Sequence, residues 1–352
     1  MVEYLCGRAG SGKTALLLGK IEEAARLGER VLVLVPEQMT LSMELALTRR
    51  LPVLWKVEVL SPSSLLRRLR QESGASARVM LDESGRAMAL RRALEELKGG
   101  LRVFRRGGEG FIAKMAALLE ELRAAGVDST ALRLAADRLT GSVTQEKLYD
   151  IAAILDGYAE LLRGKYLDGD EAVALFAEQA AASGWLKGFC TFADGFDVPP
   201  PRTVRILRVL AAHCKGLCVS FKMDGEFGRD ERLFSPVNRS YEGLHRFVLE
   251  EGIPWRKQNL PPRAAGEPSL AHLERELYAR PALPFAGRPA GLRIATAHDA
   301  YAEAGRAAGF LLSLAREKGY RLSEMAVLCA DLAPYGEALK GAFAARGLPL
   351  FV

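Results

Sequence analysis

The chain has 352 residues, of which 49% are hydrophobic and 26% are charged, and its formal net charge is +6. This balance excludes a disordered chain and is typical of a soluble globular protein with two or three domains. No apolar run is long enough to span a bilayer, and Met1 leads directly into a strand-like pattern, so we expect a cytoplasmic protein without a membrane segment. The five cysteines lack a metal-binding spacing and are predicted to be reduced core thiols.

The first 69 residues alternate between strand-like and helix-like patterns. Continuous apolar runs predict buried strands, and the amphipathic stretches between them predict helices. Ser61 and Pro62 together give a typical helix start. The predicted elements are a strand at 2–6, a helix at 13–27, a strand at 31–35, a helix at 39–50 and a strand at 56–60. This order predicts a parallel sheet covered by helices on both faces.

Residues 70–187 follow a different pattern, because apolar residues recur there at three- and four-residue spacing. This stretch is predicted to be all-helical. Strand-like runs return at "GFCTFAD" and "GLCVSFKMD", with a proline-initiated helix between them. We therefore predict a first α/β core made of residues 1–69 and 188–257, interrupted by a helical insertion at 70–187.

The rest of the chain is predicted to form a connector and a second core. Residues 258–289 are polar and proline-rich, with one short helix at 269–279. Beyond them, the segments "GLRIATA", "EMAVLCA" and "LPLFV" predict strands that alternate with helices. We expect residues 290–352 to begin a second α/β core that stops in mid-sheet, as in a fragment of a longer protein.

A glycine-rich phrase, "GRAGSGKT", lies between the first predicted strand and helix and fits the phosphate-loop pattern G-x-x-x-x-G-K-[ST]. Glycines let backbone N–H groups turn toward phosphates, the lysine reaches the β and γ phosphates, and the threonine hydroxyl binds magnesium. The alternative is a vestigial loop that binds nothing. The pattern predicts ATP and Mg²⁺ as ligands, with nucleotide-binding residues Gly7, Arg8, Ala9, Gly10, Ser11, Gly12, Lys13 and Thr14.

A second phrase, "CTFADGF", places Asp194 at the end of a predicted strand. A carboxylate at the end of a neighbouring parallel strand would complete a magnesium site with Thr14. Gly195 follows, where an ATP-hydrolysing motor has a glutamate that orients water. We therefore expect nucleotide binding with slow or absent hydrolysis, unless Glu37 or Asp197 takes the missing role. The alternative is a plain Asp-Gly turn.

Basic residues are concentrated beside the nucleotide motif. Residues 61–125 contain thirteen Lys and Arg against eight Asp and Glu. Such a surplus favours a polyanionic partner through counterion release. A solvated helical face with mixed charges fits the same numbers equally well.

Taken in order, these phrases resemble the AddB (RexB) family, the B subunits of bacterial AddAB helicase–nucleases. The resemblance rests on "GRAGSGKT", "VLVLVPEQMT", "VEVLSPSSLLRRL", "FADGFDVPPPR" and "AHLERELYARPALPF", and it covers essentially the whole chain. It implies a UvrD-like helicase arrangement, in which a P-loop core is interrupted by a helical subdomain and followed by a second α/β core. It also implies a role in recombinational DNA repair, in which this part of the protein guides the 3′-ended single strand and reads a Chi-type sequence without acting as the motor.

The resemblance further implies partners and further cofactors. The partners would be single-stranded and duplex DNA ends and an AddA-type helicase–nuclease subunit. An iron–sulfur cluster, held by four cysteines, would belong only to a C-terminal nuclease domain beyond residue 352. The sequence departs from the family after "DGF", where Val198 and Arg202 replace the usual aromatic and acidic residues, and any role for that acid is in doubt.

The same resemblance assigns DNA-contacting residues. The phrases "PEQMT" and "SPSSLLRR" correspond to loops that meet single-stranded DNA in UvrD-like helicases. Amide and hydroxyl groups can discriminate bases, and arginines can bind phosphates. The candidates are Gln38, Thr40, Ser61, Ser63, Arg67 and Arg70. For the arginines, surface solubility is an equally good explanation.

Two other classes of protein remain open on the sequence. One is a free-standing P-loop NTPase or nucleotide kinase, although a kinase needs an arginine-bearing lid and an acceptor site, and neither is evident in the sequence. The other is a purely structural subunit with a vestigial loop, which a nucleotide titration would separate from a nucleotide-binding protein.

Overall fold

A computed structural model describes residues 1–72, 79–97, 99–104, 109–167, 169–224, 229–262 and 267–351. Its strands are β1 Val2–Gly7, β2 Arg30–Leu34, β3 Val57–Leu60, β4 Val79–Met80, β5 Tyr166–Leu167, β6 Phe189–Ala193, β7 Gly216–Lys222 and β8 Trp255–Asn259. Six of them form one sheet in the order β3-β2-β6-β7-β1-β8. Every neighbouring pair in this sheet is parallel, which confirms the predicted parallel α/β architecture.

Helices account for most of the remaining described structure. Those beside the sheet are α1 Lys13–Arg26, α2 Thr40–Thr48, α3 Pro62–Glu72, α8 Gly169–Ser183, α9 Pro201–His213 and α10 Glu231–Glu250. Those of the insertion are α4 Glu83–Leu97, α5 Glu109–Ala124, α6 Ser129–Asp137 and α7 Val143–Leu162. The later ones are α11 Pro268–Glu276, α12 Ala300–Lys318 and α13 Gly336–Ala344. None of the helices in the described ranges is both long enough and apolar enough to cross a membrane.

Alternating side chains of the sheet pack into two apolar cores, one on each face. Leu32 and Leu34 of β2 are buried in the core that contains α3, α8, α9 and α10. Val31 and Val33 of the same strand are buried in the core that contains α1 and α2. Each fully buried aliphatic side chain of this kind stabilises the fold by about 1.5–3 kcal/mol. Residues 31–34 of β2 are all apolar because both faces of the sheet are covered there.

The sheet is interrupted in sequence but continuous in space. Strands β6 and β7 follow the insertion in the chain, yet they lie between β2 and β1. Strand β8, which we did not predict, pairs with β1 at the edge of the sheet. Its side chains are mostly exposed, so it has no apolar pattern to reveal it.

The insertion has an apolar core of its own, formed by α4, α5, α6 and α7 around residues such as Leu90 and Ile154. Two predictions about this segment are wrong. It is not all-helical, because the two-residue strands β4 and β5 pair in parallel. Helix α8, which we placed in the insertion, instead buries Phe176 in the core of the sheet. Helical periodicity reports which face of a helix is apolar but not which core receives it.

The chain divides into two compact units, Met1–Ala264 with Arg275–Pro284, and Ala265–Glu274 with Phe285–Val352. In the second unit α12 and α13 pack together through Ala308 and Phe343, among other residues. No described residue from 285 to 351 lies in a strand, so the three strands predicted at "GLRIATA", "EMAVLCA" and "LPLFV" are wrong for those residues. A strand requires a neighbour for its backbone hydrogen bonds, and apolar patterning alone does not supply one.

Candidate functional site

The carboxyl ends of the parallel strands bring the candidate residues to one edge of the sheet. In the register of the sheet Gly7 at the end of β1 is opposite Lys222 at the end of β7, and Ala193 of β6 is opposite both Val219 of β7 and Leu34 of β2. The segments that follow these strands therefore emerge together. Ligands of open α/β sheets bind outside this edge.

The glycine loop, residues 7–12, turns sharply between β1 and α1. Gly10 and Gly12 adopt positive φ angles of 74° and 89°, which only glycine tolerates easily. A Cβ atom on Gly7 would approach Ser11 Oγ to 2.4 Å. Ala9 and Gly10 are exposed to solvent. The loop thus keeps its backbone open where a ligand would approach.

Lys13, the first residue of α1, folds back into this loop. Its Nζ donates hydrogen bonds to the carbonyl oxygens of Gly7 at 2.7 Å and Arg8 at 2.8 Å, and to Ser11 Oγ at 3.3 Å. Burial lowers the pKa of the Lys13 ammonium below its usual value, an effect that the Asp194 carboxylate partly offsets. The ammonium group therefore lies at the centre of the loop.

The N-terminus of α1 adds a second positive feature. No side chain caps this helix at Gly12, and no acidic residue occupies its first turn. The first N–H groups of a helix have no partner within the helix, and the helix dipole is positive at this end. Thr14 is exposed in the same turn. These groups suit an anion such as a phosphate.

Asp194 directly follows β6 and is almost completely buried, with 3% of its surface exposed. Ser220 of β7 donates a hydrogen bond to its Oδ1 atom. Its Oδ2 atom is buried and has no hydrogen-bond partner among the described residues. A buried carboxylate oxygen without a partner is costly, and a cation would satisfy it. Asp194 therefore fits a magnesium ion. We predicted that its strand, β6, would be the direct neighbour of β1, the strand that precedes the glycine loop. In the structure β7 lies between them.

The position after Asp194 disfavours a larger residue. Gly195 has a φ of +82°, and a Cβ atom there would lie 2.5 Å from Met39 Sδ and 3.3 Å from Pro36 Cδ. The backbone angle thus favours glycine, and a larger residue would also have to displace the end of the Met39 side chain. The absence of a carboxylate at this position is consistent with the local backbone angle and packing.

The two carboxylates that we considered as replacements already have partners. Glu37 Oε1 accepts hydrogen bonds from Ser63 Oγ and, at 3.4 Å, from Ser61 Oγ. Asp197 pairs with Lys222 at the end of β7. Both carboxylates are thus held by neighbouring side chains, and both are exposed to solvent.

Arg8 is directed away from the loop centre. Its guanidinium pairs with Asp224 at 2.9 Å and with Asp230 at 2.7 Å, and it lies 5.1 Å from the ring centroid of Phe234. Arg8 is therefore available to a nucleotide through its backbone, while its side chain fixes the loop to the segments after β7.

The candidate DNA residues lie at the same edge, after β2 and β3. Gln38 is exposed in the 3-10 turn Glu37–Met39, and Thr40 Oγ1 donates a hydrogen bond to the Glu37 carbonyl at 2.9 Å. The Gln38 amide thus faces solvent, whereas the Thr40 hydroxyl stabilises the turn.

The second group of candidates surrounds the start of α3. Ser61 is buried, and its Oγ accepts a hydrogen bond from the Ser64 backbone N–H at 3.2 Å, so it caps the helix. Ser63 is exposed but bonded to Glu37. Arg67 is exposed and donates to Ser64 Oγ at 3.1 Å, and Arg70 is half-buried. Gln38, Ser63 and Arg67 are the exposed candidates, and of these Ser63 is bonded to Glu37.

Some residues of this site were not identified from the sequence. Ser220 and the pair Asp224 and Asp230 were not singled out, although Ser220 is a polar residue near the end of a buried apolar strand. A buried polar residue of this kind normally forms a hydrogen bond, so its place in the strand could have indicated a buried partner. The aspartates carry no local pattern, because they meet Arg8 only through the tertiary fold.

The fold and the site together define an α/β protein with a lysine-bearing glycine loop and a buried carboxylate at the carboxyl edge of a parallel sheet. A family model described as "ADDB, N-terminal" matches residues 4–274, and the chain belongs to this family.

The chain is similar over its full length to curated relatives that are named as the B subunit of an ATP-dependent helicase/deoxyribonuclease. One from Desulforudis audaxviator is 33% identical over 100% of this chain and 32% of the relative. One from Moorella thermoacetica is 34% identical over the same shares, and one from Bacillus subtilis is 31% identical over 99% of this chain and 32% of the relative. The chain thus spans about a third of the length of these relatives.

Proposed function

We propose that this chain is the helicase-like part of the B subunit of an ATP-dependent helicase–deoxyribonuclease that processes DNA ends for recombinational repair. The names of the full-length relatives support this membership and the activity on DNA. The parallel core with its helical insertion supports a UvrD-like arrangement. On this proposal, an AddA-type subunit is the partner and supplies the motor.

The glycine loop is the proposed site of ATP. The observation that carries this proposal is Lys13, buried at the loop centre, together with a buried Asp194 oxygen that has no partner among the described residues. The N–H groups of the loop and of α1 would hold the phosphates, and Lys13 would leave its carbonyl partners for them. Thr14 and Asp194 would hold magnesium, which when bound neutralises phosphate charge.

The neighbouring loops after β2 and β3 are the proposed path of single-stranded DNA. Gln38 would contact bases, and Arg67 would contact phosphates. Thr40, Ser61 and Ser63 would act mainly by holding these loops, given their present hydrogen bonds. Reading of a short recombination sequence belongs to this same surface on our proposal.

Two observations disfavour a free-standing motor. A side chain at position 195 would be strained and would displace Met39, and the alternative carboxylates Glu37 and Asp197 already have side-chain partners. The proposed role is therefore nucleotide binding without efficient turnover.

The direct test is calorimetric titration of the chain with ATP and magnesium. We expect Lys13→Ala to abolish measurable heat of binding, since the charged group that reaches the phosphates is lost. Lys215→Ala is the matched control, because Lys215 lies just before the amino end of β7 and pairs with Glu29. Equal affinity of Lys13→Ala and wild type would refute a nucleotide site here, and no binding by wild type would favour a vestigial loop.

A further inference from the structure

We propose that Lys222, the last residue of β7, is a second phosphate-binding lysine of the glycine-loop site and makes that site prefer a nucleoside triphosphate to a diphosphate. The proposal rests on the nucleotide site proposed above and adds to it a residue that recognises the terminal phosphate. Lys222 has no place in the phosphate-loop pattern, because it lies far beyond Lys13 in the sequence.

The sheet brings Lys222 to the space between the glycine loop and Asp194. Strand β7 lies between β6, which Asp194 follows, and β1, which leads into the loop. Lys222 is opposite Gly7 in the register of β7 and β1. Neighbouring strands lie about 4.8 Å apart, so the backbone of Lys222 is beside the first residue of the loop.

The side chain of Lys222 leaves the sheet on the same face as α1. Side chains two residues apart on a strand share a face, so Lys222 projects with Ser220 and Cys218. Cys218 is buried in the core that contains α1, and the Ser220 hydroxyl donates a hydrogen bond to Asp194 Oδ1. The ammonium group of Lys222 therefore emerges on the face where the loop, its helix and Asp194 meet.

The two lysines are close enough to affect each other. Burial is the main cause that lowers the pKa of the Lys13 ammonium, and the positive charge of Lys222 also lowers it. Lys13 donates its hydrogen bonds to two carbonyl oxygens and one hydroxyl of the loop, all of them neutral. Two nearby ammonium groups repel each other, and an anion bound between them is attracted to both. A polyphosphate meets this requirement, since the N–H groups of the loop suit it as well.

Asp197 holds the Lys222 ammonium but does not saturate it. The two side chains form an ion pair in which the lysine is 46% and the aspartate 78% exposed. Exposed ion pairs of this kind are weak, because water and salt screen them. An ammonium group has three donors, and a carboxylate oxygen of Asp197 accepts from one of them. Lys222 can therefore bind a phosphate oxygen while it remains beside Asp197, although Asp197 compensates part of its charge.

The terminal phosphate is the group that Lys222 would contact. In the proposed site Thr14 and Asp194 hold magnesium, so the outermost phosphate of a triphosphate would lie between the loop and Asp194, where Lys222 emerges. A terminal phosphate carries about two negative charges, and its bonds to an ammonium group are stronger than bonds between neutral groups. A diphosphate ends closer to the loop and leaves Lys222 with Asp197 alone.

The test is calorimetric titration of the whole chain with ATP and with ADP, each in the presence of magnesium. We expect Lys222→Ala to weaken ATP binding about tenfold, the loss of one charge-assisted hydrogen bond, and ADP binding at most about twofold. Lys222→Arg keeps the charge and should bind ATP more tightly than Lys222→Ala does. Lys215→Ala is the matched control, because Lys215 precedes the other end of β7 and pairs with Glu29, so neither affinity should change.

Asp197→Asn tests the compensation of charge. Loss of the carboxylate leaves the full positive charge of Lys222 to the phosphate, so ATP should bind about two- to fivefold more tightly. The same substitution should have no effect when Lys222 is already alanine. Asp156→Asn is the control, because Asp156 also forms a surface ion pair, with Arg133 of the insertion. All these variants should remain folded, since each changes only a surface ion pair, and thermal unfolding checks this.

Three outcomes would overturn the proposal while wild type binds ATP. Lys222→Ala binds ATP as tightly as wild type, it weakens ATP and ADP binding equally, or Asp197→Asn weakens ATP binding, which would make Asp197 a ligand of magnesium instead. The nucleotide site fails on a different result, in which wild type does not bind ATP or Lys13→Ala binds it equally well, and this inference then fails with it. Loss of binding in Lys13→Ala with no change in Lys222→Ala would leave the glycine-loop site standing and refute only the role of Lys222.

Discussion

At the scale of single residues, Gly195 links the chemistry of the site to its packing. The left-handed φ of +82° makes any side chain strained here, and its Cβ atom would displace Met39 Sδ. A carboxylate cannot therefore be added here without backbone strain and a shift of the Met39 side chain. Loss of a positioned base typically removes about a hundred- to ten-thousand-fold of rate, so binding and hydrolysis become separate properties.

We expect the purified chain to show no ATP turnover stimulated by single-stranded DNA, and we expect Gly195→Glu to show none either. The glutamate would have to adopt a strained backbone and displace Met39, so it would not reach the position of an attacking water molecule. Phosphate release in the presence of ATP, magnesium and oligothymidylate measures this. Rapid turnover that disappears in Lys13→Ala would contradict it and would assign the water-orienting role to another carboxylate.

Gly195→Ala should lower the free energy of unfolding by about 1–3 kcal/mol, the cost of a strained backbone with a close contact. Gly252→Ala is the control for the backbone term alone, because Gly252 also has a positive φ but a Cβ atom there would meet nothing within 4 Å. Urea denaturation gives both values. If the contact with Met39 matters, the double variant Gly195→Ala with Met39→Ala will be less unstable than the sum of the single variants.

At the scale of secondary-structure elements, one buried carboxylate holds residues 102–104, which precede α5, by hydrogen bonds. Asp150 of α7 is buried and accepts hydrogen bonds from the backbone N–H groups of Arg102, Val103 and Phe104 at distances of 2.7 to 3.1 Å. These bonds join an irregular segment to the core of the insertion. Bonds to a charged acceptor contribute more than neutral ones.

Asp150→Asn should therefore destabilise the protein by about 1–3 kcal/mol, since the amide loses the charge and directs an NH₂ group at backbone donors. Asp156→Asn on the same helix is the matched control. Asp156 is exposed and pairs with Arg133 at the surface, so its replacement should cost at most about 1 kcal/mol. Thermal and urea unfolding will measure both, and equal costs would contradict the role given to Asp150.

A comparison of individual strands shows which of them the sequence can predict and which it cannot. Strands such as β2 were predicted because both faces are buried and the residues are continuously apolar. Strand β8, with the sequence "WRKQN", is a strand only through its pairing with β1 at an exposed edge, which leaves no hydrophobic signature. Conversely, Ile294 and Leu328 belong to apolar segments predicted as strands, and they are almost fully exposed without strand structure.

The candidate site shows the same division. The glycine loop, Lys13 and Asp194 were identifiable because phosphate and magnesium chemistry constrain residue type and spacing. The hydroxyl of Ser220, the pairing of Arg8 with two aspartates and the contact of Gly195 with Met39 all join segments distant in sequence. Contacts of this kind depend on strand order, which a single sequence does not specify.

At the scale of the whole molecule, the interrupted sheet places the proposed nucleotide and DNA surfaces on one edge. Met39 belongs to the turn that carries Gln38, and it contacts Gly195, which follows the magnesium candidate Asp194. The loop after β2 and the loop after β6 are therefore packed directly against each other. A nucleotide held at Asp194 would stabilise the same turn that presents Gln38 to DNA, with no need for hydrolysis.

This arrangement predicts weak, salt-dependent binding of single-stranded DNA. For single strands, each phosphate neutralised by the protein contributes about −0.7 to the slope of log affinity against log salt concentration. Arg67 is exposed beside the proposed path and Arg70 follows one turn later on α3, so the double variant Arg67→Ala with Arg70→Ala should flatten this slope by up to about 1.4. Arg26→Ala is the control, because Arg26 pairs with Glu22 in the last turn of α1, away from the carboxyl edge. Anisotropy titrations of labelled oligothymidylate at several salt concentrations measure the slope, and a double variant with the slope of wild type would mean that these arginines serve only solubility.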